Sequence, residues 1–185
     1  MTSLRITTGT LRGRRVPVPR GEVRPTSERA RQAFFNIAGA RMEGARFLDL
    51  FAGSGIFSFE AISRGARESV AVDSSRAHTA AIEKTARELG AAVRAVTADA
   101  LDGIKRLGGE VFDVIYADPP YEYDRYDDLL MSIDTSLTLA DDAIVAIEHR
   151  RRSEPFGRAE SPPLHRLKLS RRAEYGEVWI TIFTT

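Results

Sequence analysis

From Arg46 to His149, short apolar runs alternate with amphipathic stretches. "RFLDLF" (46–51), "SVAVD" (69–73), "VRAVTAD" (93–99), "VFDVIYAD" (111–118) and "AIVAIEH" (143–149) read as strands. Between them, helical patterns fall near 56–64, 75–89, 100–107, 125–132 and 134–140. Strands apolar on both faces and separated by helices predict an α/β fold, a mostly parallel sheet covered by helices on both sides. The tail predicts two more strands, near 164–169 and 177–183, as an antiparallel C-terminal hairpin. Ahead of the alternation, strands near Leu4–Thr7 and Arg12–Val16, turning at Gly9, predict a small N-terminal β-hairpin. A helix is expected from Ser27 or Glu28 to Ala38, capped by Thr26 or Ser27 and closed by Gly39. The chain therefore divides into an extension, residues 1–25, and an α/β domain, residues 26–185.

Charge sharpens that division. Residues 1–46 carry ten arginines against Glu22, Glu28 and Glu43, a net +7, so the remainder carries −6 of the overall +1. A preference for arginine (24 Arg against 3 Lys) accounts for the choice of cation but not for the scarcity of acids in the arm. A basic arm on an acidic body points to a polyanion, and nucleic acid is the expected partner. The chain has no cysteine, which excludes disulfides and thiolate metal sites, and no metal site is expected. With no signal-peptide core and no run long enough to span a bilayer, a cytoplasmic, membrane-free and monomeric protein is expected.

Candidate chemistry begins in "FLDLFAGSGIFSFEAISRGA", a strand, a glycine turn and a helix. Gly53 and Gly55 allow close backbone approach to a ligand at the carboxyl end of a strand. Asp73 ends the next strand, 24 residues after Asp49, where a carboxylate can accept from both ribose hydroxyls; Asp99 ends the third and can accept from a purine amine. A dinucleotide fingerprint needs a third glycine, which "GSGIFS" lacks, and Asp49 would repel a pyrophosphate. It would favour a cation such as the amino group or sulfonium of S-adenosyl-L-methionine.

"DVIYADPPYEYD" (113–124) then closes the fourth strand on a rigid corner. An aromatic exocyclic amine is a poor nucleophile because its lone pair is delocalised. Asp118 and the carbonyl of Pro119 can accept its two hydrogens and free that lone pair, while Pro119 and Pro120 stiffen the backbone. Tyr121 offers a ring on which an extruded base can stack.

"DLFAGSG" with "DPPY", preceded by "GTLRGRR" and "RPTSERARQAFFNI" and followed by "YGEVWI", resembles the RsmD-type 16S ribosomal RNA guanine-N2 methyltransferases over almost the whole chain. The resemblance implies a Rossmann-like class I methyltransferase domain with a seven-stranded sheet and a hairpin that grips RNA. It implies transfer to N2 of a guanine of 16S ribosomal RNA within the small subunit or its assembly intermediates. Carried over by position, Asp49, Gly53, Ser54, Gly55, Asp73, Asp99 and Ala100 would hold the cofactor, and Asp118, Pro119, Pro120 and Tyr121 would form the catalytic corner. Arg5, Arg12, Arg14, Arg15, Arg24 and Thr26 would face RNA. Three rivals remain in the sequence: an amino-methyltransferase of DNA adenine or a protein amide, an inactive RNA-binding assembly factor, and a nicotinamide dehydrogenase.

Overall fold

A computed structural model describes residues 2–19, 28–150, 156 and 163–185 of the chain. The N-terminal hairpin pairs β1 (Ser3–Arg5) antiparallel with β2 (Arg15–Pro17), Leu4 opposite Val16. Its strands are shorter than the pattern predicts, because the chain from Ile6 to Arg14 folds back through two tight turns, with Gly9 at φ 81° and Gly13 at φ 85°. Helix α1 (Glu28–Ala38) ends at Gly39, φ 53°, as expected, and a 3-10 turn (Gly39–Met42) follows. The expected cap at Thr26 or Ser27 lies outside the described residues.

The alternation then proceeds through β3 (Arg46–Leu50), α2 (Ile56–Ser63), β4 (Glu68–Asp73), α3 (Arg76–Leu89), β5 (Val93–Thr97), α4 (Ala100–Arg106), β6 (Val111–Ala117), α5 (Tyr126–Ser136) and β7 (Thr138–Arg150). It ends in β8 (Lys168–Tyr175) and β9 (Val178–Thr184). The sheet order is β5-β4-β3-β6-β7-β9-β8; β3 to β7 are parallel and the last two strands antiparallel. This is the predicted seven-stranded α/β sheet with an antiparallel C-terminal hairpin.

Two expectations are corrected. The stretch near 134–140 is not a separate helix: α5 runs to Ser136 and β7 begins at Thr138. Its first residues pair as Val111↔Thr138 and Phe112↔Leu139, and the register then shifts so that Val114 faces Ile144. Asp142, at φ 40°, lies in that bulge, and the polar Asp141–Asp142 pair hides the strand from an apolar-run reading. The first tail strand runs over Lys168–Tyr175 rather than 164–169, because the backbone N–H groups of His165, Arg166 and Leu167 are taken by the buried carboxylate of Asp134 instead of a ladder.

Alternate strand positions feed two cores. Leu48, Leu50, Val70, Val72, Ile115, Val145 and Ile147 pack under Leu101 and Ile104 of α4 and Leu129 and Ile133 of α5. Phe47, Ala71, Val114, Tyr116, Ile144 and Ala146 face Phe34 and Phe35 of α1, Phe57 and Phe59 of α2 and Ile82 of α3. Each fully buried side chain of this size contributes about 1.5–3 kcal/mol. Tyr116 stacks on Phe57 with centroids 4.0 Å apart and meets Phe34 at 4.6 Å.

The hairpin is fastened to this body by α2. A Cβ on Gly9 would stand 1.6 Å from the Ser63 carbonyl oxygen, so only glycine permits the approach that lets Thr10 N–H donate to that oxygen at 2.8 Å. Glu60, fully buried, accepts from Thr7 N–H at 2.9 Å and from Arg64 Nε at 3.1 Å. Arg31 of α1 is 1% exposed, donates from Nη2 to the Arg5 carbonyl at 3.0 Å and lies 3.8 Å from Glu60. A cation in the first turns of a helix opposes the helix dipole, and here Arg31 meets an anion inside the protein.

Candidate active site

The strand order reverses between β3 and β6, and that is where an open α/β sheet leaves a crevice at its carboxyl ends. A cavity of about 670 Å³ opens there. Its walls include Asp49 from β3, Gly53 and Ser54 from the glycine turn, Asp73 from β4 and Asp118, Pro119, Pro120 and Tyr121 from the corner after β6. Residues distant in sequence, selected by their chemistry, therefore share one cavity. Leu4 of the hairpin also lines it, which brings the basic extension to its mouth.

The turn that builds this cavity is backbone-strained. Phe51 has φ 63°, costly for a bulky side chain, by about 1–3 kcal/mol. Ala52 N–H is held by the Val72 carbonyl at 3.0 Å and Gly53 N–H by Asp73 Oδ2 at 2.8 Å. Gly55 caps α2 at φ 76°, and a Cβ there would approach Ile82 to 2.9 Å, so this glycine serves helix packing as well as the turn.

The three acids differ in their duties. Asp49 is buried; Oδ2 accepts from Ser58 N–H at 3.1 Å and Ser58 Oγ at 2.8 Å. Burial pushes its pKa up to about 7, and the nearby charges of Asp118 and Asp73 push the same way against the Ser58 hydrogen bonds. A carboxylate in that state is short of a cation, so the cavity suits a positively charged nucleoside ligand better than a pyrophosphate. Asp73 spends Oδ2 on the glycine turn, and Oδ1 on Ser75 N–H at 2.8 Å and His78 Nδ1 at 3.0 Å. Asp99 is exposed and caps α4, accepting from Asp102 N–H at 3.0 Å, with Ala100 buried behind it; both stand outside the cavity lining.

Across the corner lies a second cavity of about 200 Å³, lined by Asp118, Pro119, Tyr121, Tyr126, Glu148, His149, Arg150 and Val178. Asp118, Pro119 and Tyr121 form the shared wall. Beneath it the Tyr116 hydroxyl donates to Glu148 Oε2 at 2.5 Å. Burial, then the Glu148 charge, holds the Tyr116 pKa well above its ordinary value, so the phenol keeps its proton.

Arg5, Arg12, Arg14 and Arg15 are exposed on the hairpin, and the register sets Arg5 directly opposite Arg15. Like charges facing each other are unfavourable unless an anion joins them. Arg24 and Thr26 lie outside the described residues, as does most of the 148–163 connection.

The sequence from Leu4 to Thr184 matches the family described as "Conserved hypothetical protein 95". The chain belongs to this family. It is 31% identical over 147 residues to ribosomal RNA small subunit methyltransferase D of Escherichia coli (strain K12), covering 78% of this chain and 74% of that protein. YlbH of Bacillus subtilis (strain 168) is 32% identical over 191 residues, 97% of this chain and 98% of that one. The solved Escherichia coli protein yhhF superposes with a TM-score of 0.83 at 28% identity, covering 99% and 98% of the two chains. Family and architecture together make this the RsmD-type, class I methyltransferase fold.

Several lining residues escape a sequence reading: Leu4, Phe51, His78, Tyr116 and Glu148. Glu148 sits at the end of an apolar strand and reads as its polar boundary. His78 is visible only as a helix residue, and only the fold brings it to Asp73.

Proposed function

We propose that the protein transfers a methyl group from S-adenosylmethionine to the exocyclic N2 amine of one guanine in small-subunit ribosomal RNA. Methylation of ribosomal RNA is the activity in the name of the Escherichia coli relative. The observation that carries the finer reading is the pair of cavities meeting on Asp118 and Pro119, one rich in carboxylates and the other large enough for part of a base.

Asp49, Gly53, Ser54 and Asp73 would hold the cofactor, with Gly55 fixing the turn and Asp99 and Ala100 framing α4 beside it. When bound, the cofactor supplies an electrophilic methyl group on a sulfonium centre. Asp49 meets its positive charge, which relieves the ionisation cost that burial imposes on this carboxyl. On the other side of the corner, Asp118 and the Pro119 carbonyl accept the two amine hydrogens and turn the nitrogen lone pair outward. Tyr121 supports the base, and the arginine hairpin beside Leu4 meets the phosphates.

The experiment is transfer of a labelled methyl group to purified small subunits that lack the modification, followed by digestion to nucleosides and mass spectrometry. Label in N2-methylguanosine is the expected result. Label in an adenine, or retained in a ribosomal-protein amide, would replace this reading with one of its rivals.

A further inference from the structure

In the parallel ladder of β6 and β7, Tyr116 pairs with Ala146 and Ala117 with Ile147. Tyr116 belongs to the core on the α1–α2–α3 side and Ala117 to the other, so side-chain alternation sends Asp118 and Glu148 to the Tyr116 side. Asp49, opposite Tyr116 in β3, shares that face. One face of the sheet therefore carries Asp49 on the first cavity, Asp118 on the shared wall and Glu148 on the second cavity. Glu148 is 8% exposed, and its carboxylate is held from below by Tyr116, a ring immobilised against Phe57.

A carboxylate beside the pocket for the amine has a selective consequence. Guanine presents two kinds of donor side by side, N1–H and the N2 amine. Adenine and cytosine present their amine next to a ring nitrogen that carries a lone pair. A second carboxylate thus complements guanine and repels the other two bases. We propose that Glu148 selects the base by accepting the guanine N1–H while Asp118 and the Pro119 carbonyl take the N2 amine. Tyr116 is its positioning residue. This inference rests on the guanine-N2 reading above, and extends it by naming the residue that rejects other amines.

The test uses small subunits reconstituted with ribosomal RNA that carries either guanine or 2-aminopurine at the modified position. 2-Aminopurine keeps the 2-amino group but presents a lone pair at N1. The wild-type protein is expected to prefer guanine by at least about 100-fold in kcat/KM, since a site built for a hydrogen bond rejects an analogue that lacks it. Glu148→Gln, whose amide can donate to that lone pair, is expected to lower the guanine rate and to narrow the preference to within about 5-fold. Binding of S-adenosylhomocysteine by calorimetry verifies that the variant is folded; if it is not, the wild-type preference decides alone. Equal use of both bases by the wild type, or an unchanged preference in a folded variant, overturns the role of Glu148 while leaving N2 methylation intact. Absence of N2-methylguanosine from wild-type reactions on unmodified subunits overturns both.

Discussion

The guanidinium carbon of Arg150 lies 3.3 Å from the centre of the Tyr121 ring. An arginine thus already covers one face of the aromatic ring at the corner, and both residues line the smaller cavity. A base that stacks on Tyr121 takes the opposite face or displaces the arginine. In either case the ring, not its hydroxyl, does the holding. Tyr121→Ala should lower kcat/KM for small subunits by about 10–100-fold, the scale of one base stacked on one ring, and Tyr121→Phe should retain it. Steady-state methyl transfer measures both.

Asp49 gives the cofactor step a pH dependence. With a pKa of about 7 in the ligand-free protein, it is mostly protonated at pH 6 and mostly ionised at pH 8. The sulfonium charge is met by the ionised form, so affinity for S-adenosyl-L-methionine should rise toward a limit of about tenfold across that interval. Asp49→Asn should bind more weakly and with a flatter profile. Stability runs in the opposite direction. A carboxyl whose folded pKa is raised contributes its full stability below its unfolded pKa near 3.8 and loses it as pH rises through 7. The ligand-free Asn variant should therefore be more stable than wild type at pH 8, by more than about 1 kcal/mol, and urea denaturation reads that difference.

Glu60 is one of the groups that hold the hairpin on the body. Removing it leaves the Arg31 guanidinium buried without its counter-charge, and strips Thr7 N–H of its acceptor. Glu60→Ala should cost about 3–5 kcal/mol in urea unfolding. It should also open the hairpin to trypsin at Arg12, Arg14 and Arg15 earlier than the rest of the chain.

On the proposed reading, those arginines carry the electrostatic part of RNA binding. Replacing Arg12, Arg14 and Arg15 with Ala should reduce the slope of log affinity against log salt by about 2–3, close to one for each phosphate that is no longer neutralised. Filter binding across a salt series measures the slope; an unchanged slope would assign the arginines to composition rather than to RNA.

Alternating patterns made the parallel strands readable, because Leu48 and Leu50 belong to one core while Phe47 belongs to the other. The acids at the strand ends were readable too, since only a crevice gathers Asp49, Asp73 and Asp118 at one end of a sheet. What escaped depends on interactions between distant segments. The bulged start of β7 looked helical because Asp141 and Asp142 interrupt its apolar pattern, and only the pairing with Val111 and Phe112 identifies it. Asp134 looked like one more helical acid, although its carboxylate fixes the start of the C-terminal hairpin. Glu148 gained its meaning from Tyr116, 32 residues away.

In the proposed mechanism, acceptors fixed at the corner convert a sluggish amine into a nucleophile, and Asp118→Ala tests this most directly. Single-turnover methyl transfer should fall by about 10²–10³-fold or more in the variant, the scale for loss of one preorganised electrostatic partner. Its binding of small subunits and of S-adenosylhomocysteine should stay within a few-fold of wild type. Transfer at the wild-type rate by a variant that binds both normally would contradict the account.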